Sequence, residues 1–507
     1  MSEHLRAFVV VAVLSTLSFL VLHRPVVAMG MADEDFRRRR NIWLGVTAAV
    51  FLASNFWIFI LIAVALLLLL GRKDRNPFAL YLFLLFAVPP FAAALPGLGV
   101  VNKLFELNFP RLLSLLVLLP FALRRREPGV PGFGKHAVDW LLIGYLALQL
   151  VLQYRGTSFT HTLRLGFDIM LDAFLPYYVA SRSLRSSEDV RDVLLAIVVS
   201  ALLLVPIAVF EFLKHWLLYA TLPDVLGVTW AGGSYLGRGG ALRAVATSGH
   251  SIVLGYMMAI ALLLHFGLRP SNPLPRLWAL GVAALGLGLI ATVSRGPWVG
   301  AAVGILVMTV ASRQPGRRLA RLALPALIGA VALAISPWGE KVLAYLPFVG
   351  SIDTGNVSYR QQLFEISMRV IAMDPWFGSP YFMYSAPMQE LRIGTLIDVV
   401  NTYLLVALRY GYVGLAMFVA IFASALWAVV DALRRQPNED TERFGQGQAI
   451  LGMLVAVLVT IATSSDTSFV EILYWTVAGL AIGYARLAAG EAEPQRVPHR
   501  RFALGSP

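Results

Sequence analysis

Three arginines in separate segments between apolar runs are the residues of this sequence best suited to bind an anion. Arg243 follows the glycine-rich stretch 237–240, Arg295 lies in a short turn, and Arg360 opens a helical run. A guanidinium group binds phosphate oxygens through two parallel hydrogen bonds and stays charged at physiological pH. Gly296 and Pro297 favour a helix start beside Arg295, where a helix N-terminus would also attract an anion. Three such groups, if they converge, predict a site for a diphosphate.

The candidate catalytic residues are Asp398, His250 and Glu365. A carboxylate close to a bound diphosphate can act as a general base toward a sugar hydroxyl. Structural alternatives stay open for the two acids. Asp398 could be the N-cap of the run 399–410, and Glu365 could form an ion pair with Arg369 one helical turn away.

The other candidates also have structural alternatives. Arginines outside the membrane often contact lipid headgroups, and the stretch 294–297 could be only a tight turn. His250 could start a helix without taking part in chemistry. Within one apolar run, Asp168 and Asp172 lie one helical turn apart near Arg164, and we expect them either to pair with it or to form a proton relay.

Composition sets the elements that must position these residues. The chain of 507 residues is 58% hydrophobic and only 14% charged, with a mean hydropathy of +0.72. Runs such as 42–71, 193–210 and 412–433 are long enough to cross a bilayer, where the backbone must form helices. The sequence therefore predicts an all-α, polytopic integral membrane bundle of 12–14 transmembrane helices. Since the chain has no cysteine, a disulfide, a zinc–thiolate site and a thiol nucleophile are excluded.

The net charge of +13 comes from short basic clusters between apolar runs, which is typical of cytoplasmic loops and not of a nucleic-acid surface. These clusters lie at 37–40, 72–75, 124–126, 182–185, 269–276, 313–321, 434–435 and 496–501. If these basic clusters lie in the cytoplasm, the three arginines and the candidate catalytic residues lie on the extracytoplasmic side. The longest extracytoplasmic segment contains two helical runs, 359–373 and 396–410, and the second should lie at or dip into the outer membrane face.

The chain divides into five predicted parts. Residues 1–76 hold N-terminal helices of uncertain topology, in which 42–71 could be a hairpin broken near Asn55. A signal peptide at 5–23 or a start at Met29 or Met31 is possible there, but we expect an uncleaved first helix. The other parts are a transmembrane bundle at 77–336, an extracytoplasmic catalytic loop with short helices at 337–411, C-terminal transmembrane helices at 412–487 and a cytoplasmic tail at 488–507.

Three ordered motifs resemble the O-antigen ligase and Wzy-type polymerase superfamily of bacterial surface polysaccharide. Residues 294–300 resemble its Ser-Arg-Gly-x-Trp-x-Gly turn. Residues 360–378 resemble its arginine-led helix followed by a Pro-x-x-Gly turn. The stretch 401–414 resembles its pattern of Asn, nine residues and Gly-x-x-Gly. The ligases have a histidine immediately before this asparagine, whereas this chain has Val400, which favours a polymerase over a ligase.

The resemblance implies a GT-C-like glycosyltransferase that is inverting, metal-independent and free of cofactors. Its donor would be a glycan on undecaprenyl diphosphate and its acceptor a lipid-linked repeat unit, with the three arginines on the diphosphate and Asp398, or else His250, as the base. It implies a bacterial inner (cytoplasmic) membrane, a site facing the periplasm, contact with membrane lipids, a chain-length regulator (co-polymerase) as a partner and no nucleic acid. Two alternatives are a polysaccharide ligase or protein O-oligosaccharyltransferase of the same superfamily, and a polysaccharide transporter or flippase. A transporter would need a polar path, yet most of the apolar runs carry no charge.

Overall fold

The first apolar stretch folds into three helices, α1 (Glu3–Ala28), α2 (Asp33–Leu52) and α3 (Phe56–Leu69). The computed structural model describes residues 2–97, 103–123, 132–230, 232–335, 345, 354–392, 397–436, 441–464 and 468–490. Asn55 separates α2 from α3, and its side-chain oxygen accepts hydrogen bonds from the amides of Trp57 and Ile58, both at 3.0 Å. The predicted break near Asn55 is therefore confirmed as a helix N-cap.

Hydropathy predicts a membrane-spanning helix over residues 77–94, and the second half of this prediction is wrong. Helix α4 (Pro77–Leu84) is followed by a hairpin of two antiparallel strands, β1 (Ala92–Pro96) and β2 (Lys103–Asn108). Pro89 and Pro90 explain the early end, because a proline has no amide hydrogen to donate and disfavours helical backbone in the residue before it. The hairpin leads into α5 (Phe109–Leu113), which continues through one π-helical turn into α6 (Leu119–Leu123).

Most of the remaining long helices coincide with apolar runs of the sequence. They are α7 (Ala137–Tyr154), α8 (Phe159–Ile169), α9 (Leu175–Ser183), α10 (Ser187–Lys214), α11 (Leu222–Leu226), α12 (Ser251–Gly267), α13 (Pro275–Ala291), α14 (Arg295–Val310), α15 (Pro315–Ala334), α16 (Thr354–Met373), α17 (Ala386–Gln389), α18 (Thr402–Arg435), α19 (Thr441–Ile461) and α20 (Ser468–Ala488), with the two short paired strands β3 (Gly237–Arg238) and β4 (Ala241–Leu242) between α11 and α12. Six of the described helices are long and apolar enough to cross a membrane, and four further apolar helices are shorter. The chain is a polytopic all-α membrane protein.

Two opposite ends of this bundle matter for function. The site end contains His250, Arg295, Asn401 and Thr463, and the basic end contains the clusters 269–276 and 313–321. Helices α14 and α19 are antiparallel and run from one end to the other, with Gly296 of α14 beside Thr463 and Gly304 beside the carbonyl of Gly452. Four parts of the chain lie outside the described residues: the basic clusters 124–126 and 496–501, most of 337–353 and the end of the tail.

Several arginines of the predicted basic clusters are buried ion-pair partners rather than loop residues. Arg39 is fully buried and contacts the carboxylates of Asp74 at 2.9 Å and Asp192 at 2.8 Å. Arg182 is likewise buried against Asp139 at 2.5 Å. Since a buried charge is tolerated only when it is paired, these contacts fix how helices from distant parts of the sequence meet.

The acids in α8 and the π-helical turn after it have a partner that the sequence did not indicate. Asp168 and Asp172 contact the guanidinium of Arg111 at 2.7 Å and 2.8 Å. Arg111 lies in α5, just after the β1–β2 hairpin, whereas the expected partner was Arg164. This ion triad holds α5 against the helix that contains the two acids.

Candidate active site

The turn between α13 and α14 is the point where two arginines from another segment dock. Ser294 accepts a hydrogen bond from Nη2 of Arg243 at 3.0 Å, and its hydroxyl donates to the carbonyl of Thr292 at 3.0 Å. Nη1 of Arg238 donates to the carbonyl of Val293 at 2.9 Å. Val293 has a φ of 47°, a left-handed conformation that is strained for a β-branched residue. The strained turn is thus held by the glycine-rich segment that carries Arg238 and Arg243.

The glycines of the same turn bring it into contact with the end of α19. A Cβ on Gly296 would lie 2.1 Å from the hydroxyl of Thr463, and one on Gly300 would lie 2.4 Å from the hydroxyl of Thr460. Trp298 closes the other side, because its indole N–H donates to the carbonyl of Leu289 at 2.9 Å. The spacing of Gly, Trp and Gly in this motif is therefore a packing requirement that places Arg295 and Thr463 at one end of the bundle.

Arg295 and Arg238 are joined by one described residue of the long loop. Nε of Arg295 donates to the carbonyl of Tyr345 at 3.1 Å. The hydroxyl of Tyr345 donates to the carbonyls of Arg238 and Gly239, at 3.2 Å and 2.7 Å. Tyr345 thereby ties Arg295 to the glycine-rich segment that also carries Arg243.

Arg360 joins this group from α16. Its Nη2 donates to the carbonyl of Thr463 at 3.1 Å, so both Arg360 and the 294–300 turn contact the same residue. Burial lowers the pKa of Arg360, the positive charge of Arg238 lowers it further, and the carboxylate of Asp398 opposes the change. Arg360 still remains a cation, because an arginine side chain does not lose its proton in proteins. Two adjacent, partly desolvated guanidinium groups form a strong site for an anion.

Asp398 lies in an extended segment that precedes α18. The hydroxyl of Tyr359 donates to the backbone carbonyl of Asp398 at 2.9 Å and accepts from its amide at 3.3 Å, and residue 398 is exposed. The alternative that Asp398 caps the following helix is wrong, since Asn401 accepts from the amides of Tyr403 at 2.9 Å and Leu404 at 3.2 Å. The negative charge of Asp398 opposes the lowering of the pKa of both Arg360 and His250, so the three side chains interact electrostatically at the same end of the bundle.

His250 is the N-cap of α12 and lies just before its first residue. Its Nδ1 accepts from the amide of Ile252 at 3.2 Å. Burial lowers the pKa of His250 to about 4, the nearby charge of Arg243 lowers it, and Asp398 opposes this. The imidazole is therefore neutral at neutral pH, and because Nδ1 accepts, the proton is on Nε2. In this tautomer His250 is a hydrogen-bond donor, which leaves Asp398 as the better candidate for a base.

A buried acid that the sequence analysis missed positions the Arg243–His250 loop. Glu211 of α10 is fully buried, and its carboxylate accepts from the amides of Val245 at 2.9 Å, Ala246 at 2.8 Å and Leu218 at 3.1 Å. Ala246 has a φ of 47°, so the loop is strained where the carboxylate holds it. Hydropathy predicts a membrane-spanning helix over residues 193–213, and Glu211 is a lone acid within it. That was the available signal, since an ionisable residue inside a span is a functional hypothesis by default.

The motif at residues 360–378 and the motif at residues 401–414 contact each other through backbone hydrogen bonds. Gly411 interrupts α18 with a φ of 67° and a ψ of −169°, and the turn that contains Gly378 fits into this break. The amide of Tyr412 donates to the carbonyl of Pro375 at 2.7 Å, and the amide of Ser379 donates to the carbonyl of Leu408 at 3.0 Å. The break separates the predicted short run before residue 411 from the span after it, and it anchors the C-terminal end of α16 near α18.

Glu365 is the candidate that the structure does not bring to this cluster. It lies five positions after Arg360 on α16, about 140° around the helix, and it accepts a hydrogen bond from Gln361 at 3.3 Å. The predicted ion pair with Arg369 is wrong, because Arg369 contacts Glu390 at 3.0 Å. Among the described residues, no group of three or more His, Asp or Glu side chains is arranged to hold a metal ion.

Part of the chain that carries this cluster is similar in sequence to known proteins. Residues 279–419 match the family model described as O-Antigen ligase. This match confirms the resemblance to the O-antigen ligase and Wzy-type polymerase superfamily that the three motifs indicate. An O-antigen ligase of Pseudomonas aeruginosa (strain ATCC 15692) is 33% identical to this chain over 189 residues. That match covers 37% of this chain and 42% of the relative, so the chain spans about two fifths of the curated protein that it matches.

The O-antigen ligase segment supplies only part of the cluster. Arg295, Arg360 and Asp398 lie inside it, whereas Arg243 and His250 come from the preceding segment. The contacts described above bring the two sets together at the site end. Val400, which stands where the ligases have histidine, lies in the same extended segment as Asp398, and its amide donates to the carbonyl of Asp398 at 3.1 Å.

Proposed function

We propose that this chain transfers a glycan from a lipid diphosphate carrier to a hydroxyl of a second glycan. The observation that carries the proposal is that arginines from three segments meet at the site end, where the carboxylate of Asp398 interacts electrostatically with Arg360. Arg295 lies within the 294–300 turn, Arg243 contacts this turn through Ser294, and Arg360 reaches the same end of the bundle through Thr463. Fixed cations beside an exposed carboxylate suit a reaction in which a diphosphate leaves and a hydroxyl is deprotonated.

In the proposed reaction, the acceptor hydroxyl attacks the anomeric carbon of the donor sugar from the face opposite the diphosphate. Its proton passes to the carboxylate of Asp398 as the new carbon–oxygen bond forms. The bond from the anomeric carbon to the diphosphate oxygen breaks, and the lipid diphosphate leaves with the electron pair. Arg243, Arg295 and Arg360 neutralise the developing charge, so the leaving group needs no separate acid. The Nε2–H of His250 donates a hydrogen bond to the diphosphate or to a sugar oxygen.

The acceptor that we propose first is another lipid-linked repeat unit, which makes the chain a Wzy-type polymerase. The support is Val400, because the ligases that the chain resembles carry a histidine at that position. The donor lipid would be undecaprenyl diphosphate in a bacterial inner membrane, with the site end facing the periplasm and a chain-length regulator as a partner.

The second candidate is a ligase that transfers finished polysaccharide to a lipid or a protein. Its support is the O-antigen ligase family model over residues 279–419 and the similarity to the Pseudomonas aeruginosa ligase. A ligase shares the donor and the arginine cluster with a polymerase and differs only in the acceptor. Since Val400 stands in place of the ligase histidine, a ligase with this sequence would need either a mechanism without that histidine or His250 in the same role.

Analysis of lipid-linked glycans in a deletion strain separates these candidates. Accumulation of single repeat units on the carrier is expected for a polymerase, and accumulation of full-length polymer on the carrier would indicate a ligase. Arg360→Ala should reproduce the deletion, whereas Arg369→Ala on the same helix should not, because Arg369 pairs with Glu390 away from the cluster. Normal polymer in cells with Arg360→Ala would contradict glycosyl transfer at this site and would favour a transporter.

A further inference from the structure

A large groove opens at the basic end of the bundle, opposite the arginine cluster. It has a volume of about 920 Å³ and lies between the ends of α12 and α14 and the starts of α13, α15 and α19. Its walls are largely apolar and include Phe266, Trp278, Ile305, Met308 and Leu322. Because the groove lies where long apolar helices begin and end, we expect it at a membrane–water interface, beside lipid headgroups.

The polar part of the groove is strongly cationic. Five arginines line it: Arg269, Arg313, Arg317, Arg318 and Arg321. No carboxylate is among the described residues that line it. Arg269, Arg317, Arg318 and Arg321 therefore concentrate positive charge in the part of the groove that the structure describes.

Aromatic rings fix two of these arginines at the walls. The guanidinium of Arg269 lies 4.3 Å from the ring centroid of Trp278, and that of Arg313 lies 4.4 Å from the ring centroid of Phe444. Such stacking orients a guanidinium without neutralising it. Two of the arginines that line the groove are therefore held against its aromatic walls.

Helix α15 carries the remaining three arginines and stands apart from the bundle. Its residues 315–324 are all exposed, including the apolar Leu319 and Leu322. Arg317 and Arg321 are four residues apart on one face, where like charges destabilise a helix. An anion bound between them would relieve this repulsion, and an occupant with hydrocarbon chains would cover the adjacent apolar walls.

We propose that this groove binds an anionic phospholipid of the leaflet at the basic end. The phosphate lies among Arg269 and the three arginines of α15, and the first part of the acyl chains lies along the apolar walls and α15. The combination favours a lipid over a free anion, because a soluble phosphate would leave the walls uncovered. Clusters of basic side chains between transmembrane helices bind acidic lipid headgroups by the same physics.

Native mass spectrometry of the delipidated full chain, titrated with phosphatidylglycerol in detergent, tests this proposal. The triple variant Arg317→Gln, Arg318→Gln and Arg321→Gln should bind phosphatidylglycerol roughly 100-fold more weakly, at roughly fivefold for each arginine. All three side chains are exposed, so the variant should fold, and its helical circular dichroism provides the check. A Lys substitution at the same three positions keeps the charge and should retain most of the binding.

The matched control removes three exposed arginines from the basic end but outside the groove, namely Arg72→Gln, Arg75→Gln and Arg435→Gln. It should bind phosphatidylglycerol as the unmodified chain does, and zwitterionic phosphatidylcholine should bind weakly to all forms. Equal loss of binding in the control and the α15 variant would overturn the site. Inorganic phosphate that displaces phosphatidylglycerol at an equal concentration would instead indicate a soluble-anion site and would overturn the lipid assignment.

Discussion

Gly296→Ala tests how the turn after α13 positions the arginines. A Cβ at this position would lie 2.1 Å from the hydroxyl oxygen of Thr463 and 3.2 Å from its Cβ. Ordinary van der Waals contact begins near 3.4 Å, so α14 and the end of α19 must separate by more than an ångström or Thr463 must rotate. Overpacking of this kind costs about 1–3 kcal/mol. Since Arg360 binds the carbonyl of Thr463, the displacement should also lower glycan transfer.

A double-mutant cycle makes this prediction specific. Thr463→Ala removes the clashing hydroxyl and also its hydrogen bond to the carbonyl of Thr460, at 3.0 Å, which costs about 0.5–1.5 kcal/mol. We therefore expect Thr463→Ala alone to be mildly destabilising and the double variant to be more stable than Gly296→Ala alone. The interaction should be worth at least about 1 kcal/mol, as is usual for residues in contact.

The measurement is the apparent unfolding midpoint of the purified full chain in detergent, together with polymer production in the deletion strain. Gly286→Ala is the control, because a Cβ there meets nothing within 4 Å. A Gly296→Ala variant as stable as the unmodified chain, or a double variant no more stable than Gly296→Ala, would refute the proposed packing between α14 and α19.

Two further predictions follow from the backbone break and from His250. Gly411→Ala should destabilise the chain by more than about 3 kcal/mol, because its Cβ would lie 2.3 Å from backbone atoms of Trp376 and φ is 67°. An unfolding midpoint within a degree of that of the unmodified chain would contradict the contact between the two turns. His250→Asn keeps the N-cap but removes an imidazole whose folded pKa, about 4, lies below the ordinary value of 6.5. Because the folded state resists protonation of His250, its contribution to stability is fully present above pH 6.5 and is lost as the pH falls toward 4. This loss of stability should be smaller in His250→Asn. Identical pH profiles of stability for the two proteins would show that His250 is not buried as described.

Much of the bundle was predictable, because a long apolar run in a membrane has few alternatives to a helix. Asn55 was also informative, since an asparagine at the start of an apolar run is a strong N-cap signal, whereas the same role of Asn401 was missed because Asp398 was considered instead. The short helix α4 was not predicted, because hydropathy alone continues through Pro89 and Pro90. Hydropathy measures the transfer of side chains and does not report the amide hydrogens that these prolines lack.

The site was predictable in its residue types and less so in its supporting contacts. Arg243, Arg295 and Arg360 were identified because a fixed cation outside an apolar run is conspicuous. Arg238 and Glu211 were missed, since their roles depend on backbone groups far away in the sequence, the carbonyl of residue 293 and the amides of 245 and 246. Contacts of this kind are set by how helices pack and leave no local pattern.

The central claim is that Asp398 accepts the proton of the acceptor hydroxyl beside an arginine-held diphosphate. The decisive measurement is glycan transfer by the purified full chain in vesicles, supplied with the lipid-linked glycan that accumulates in the deletion strain. Asp398→Asn should lower the transfer rate by about 100-fold or more, the contribution typical of a general base, while donor binding stays within a few-fold. The exposed Asp224→Asn serves as the control and should retain full activity. Transfer by Asp398→Asn at the rate of the Asp224→Asn control would contradict the account.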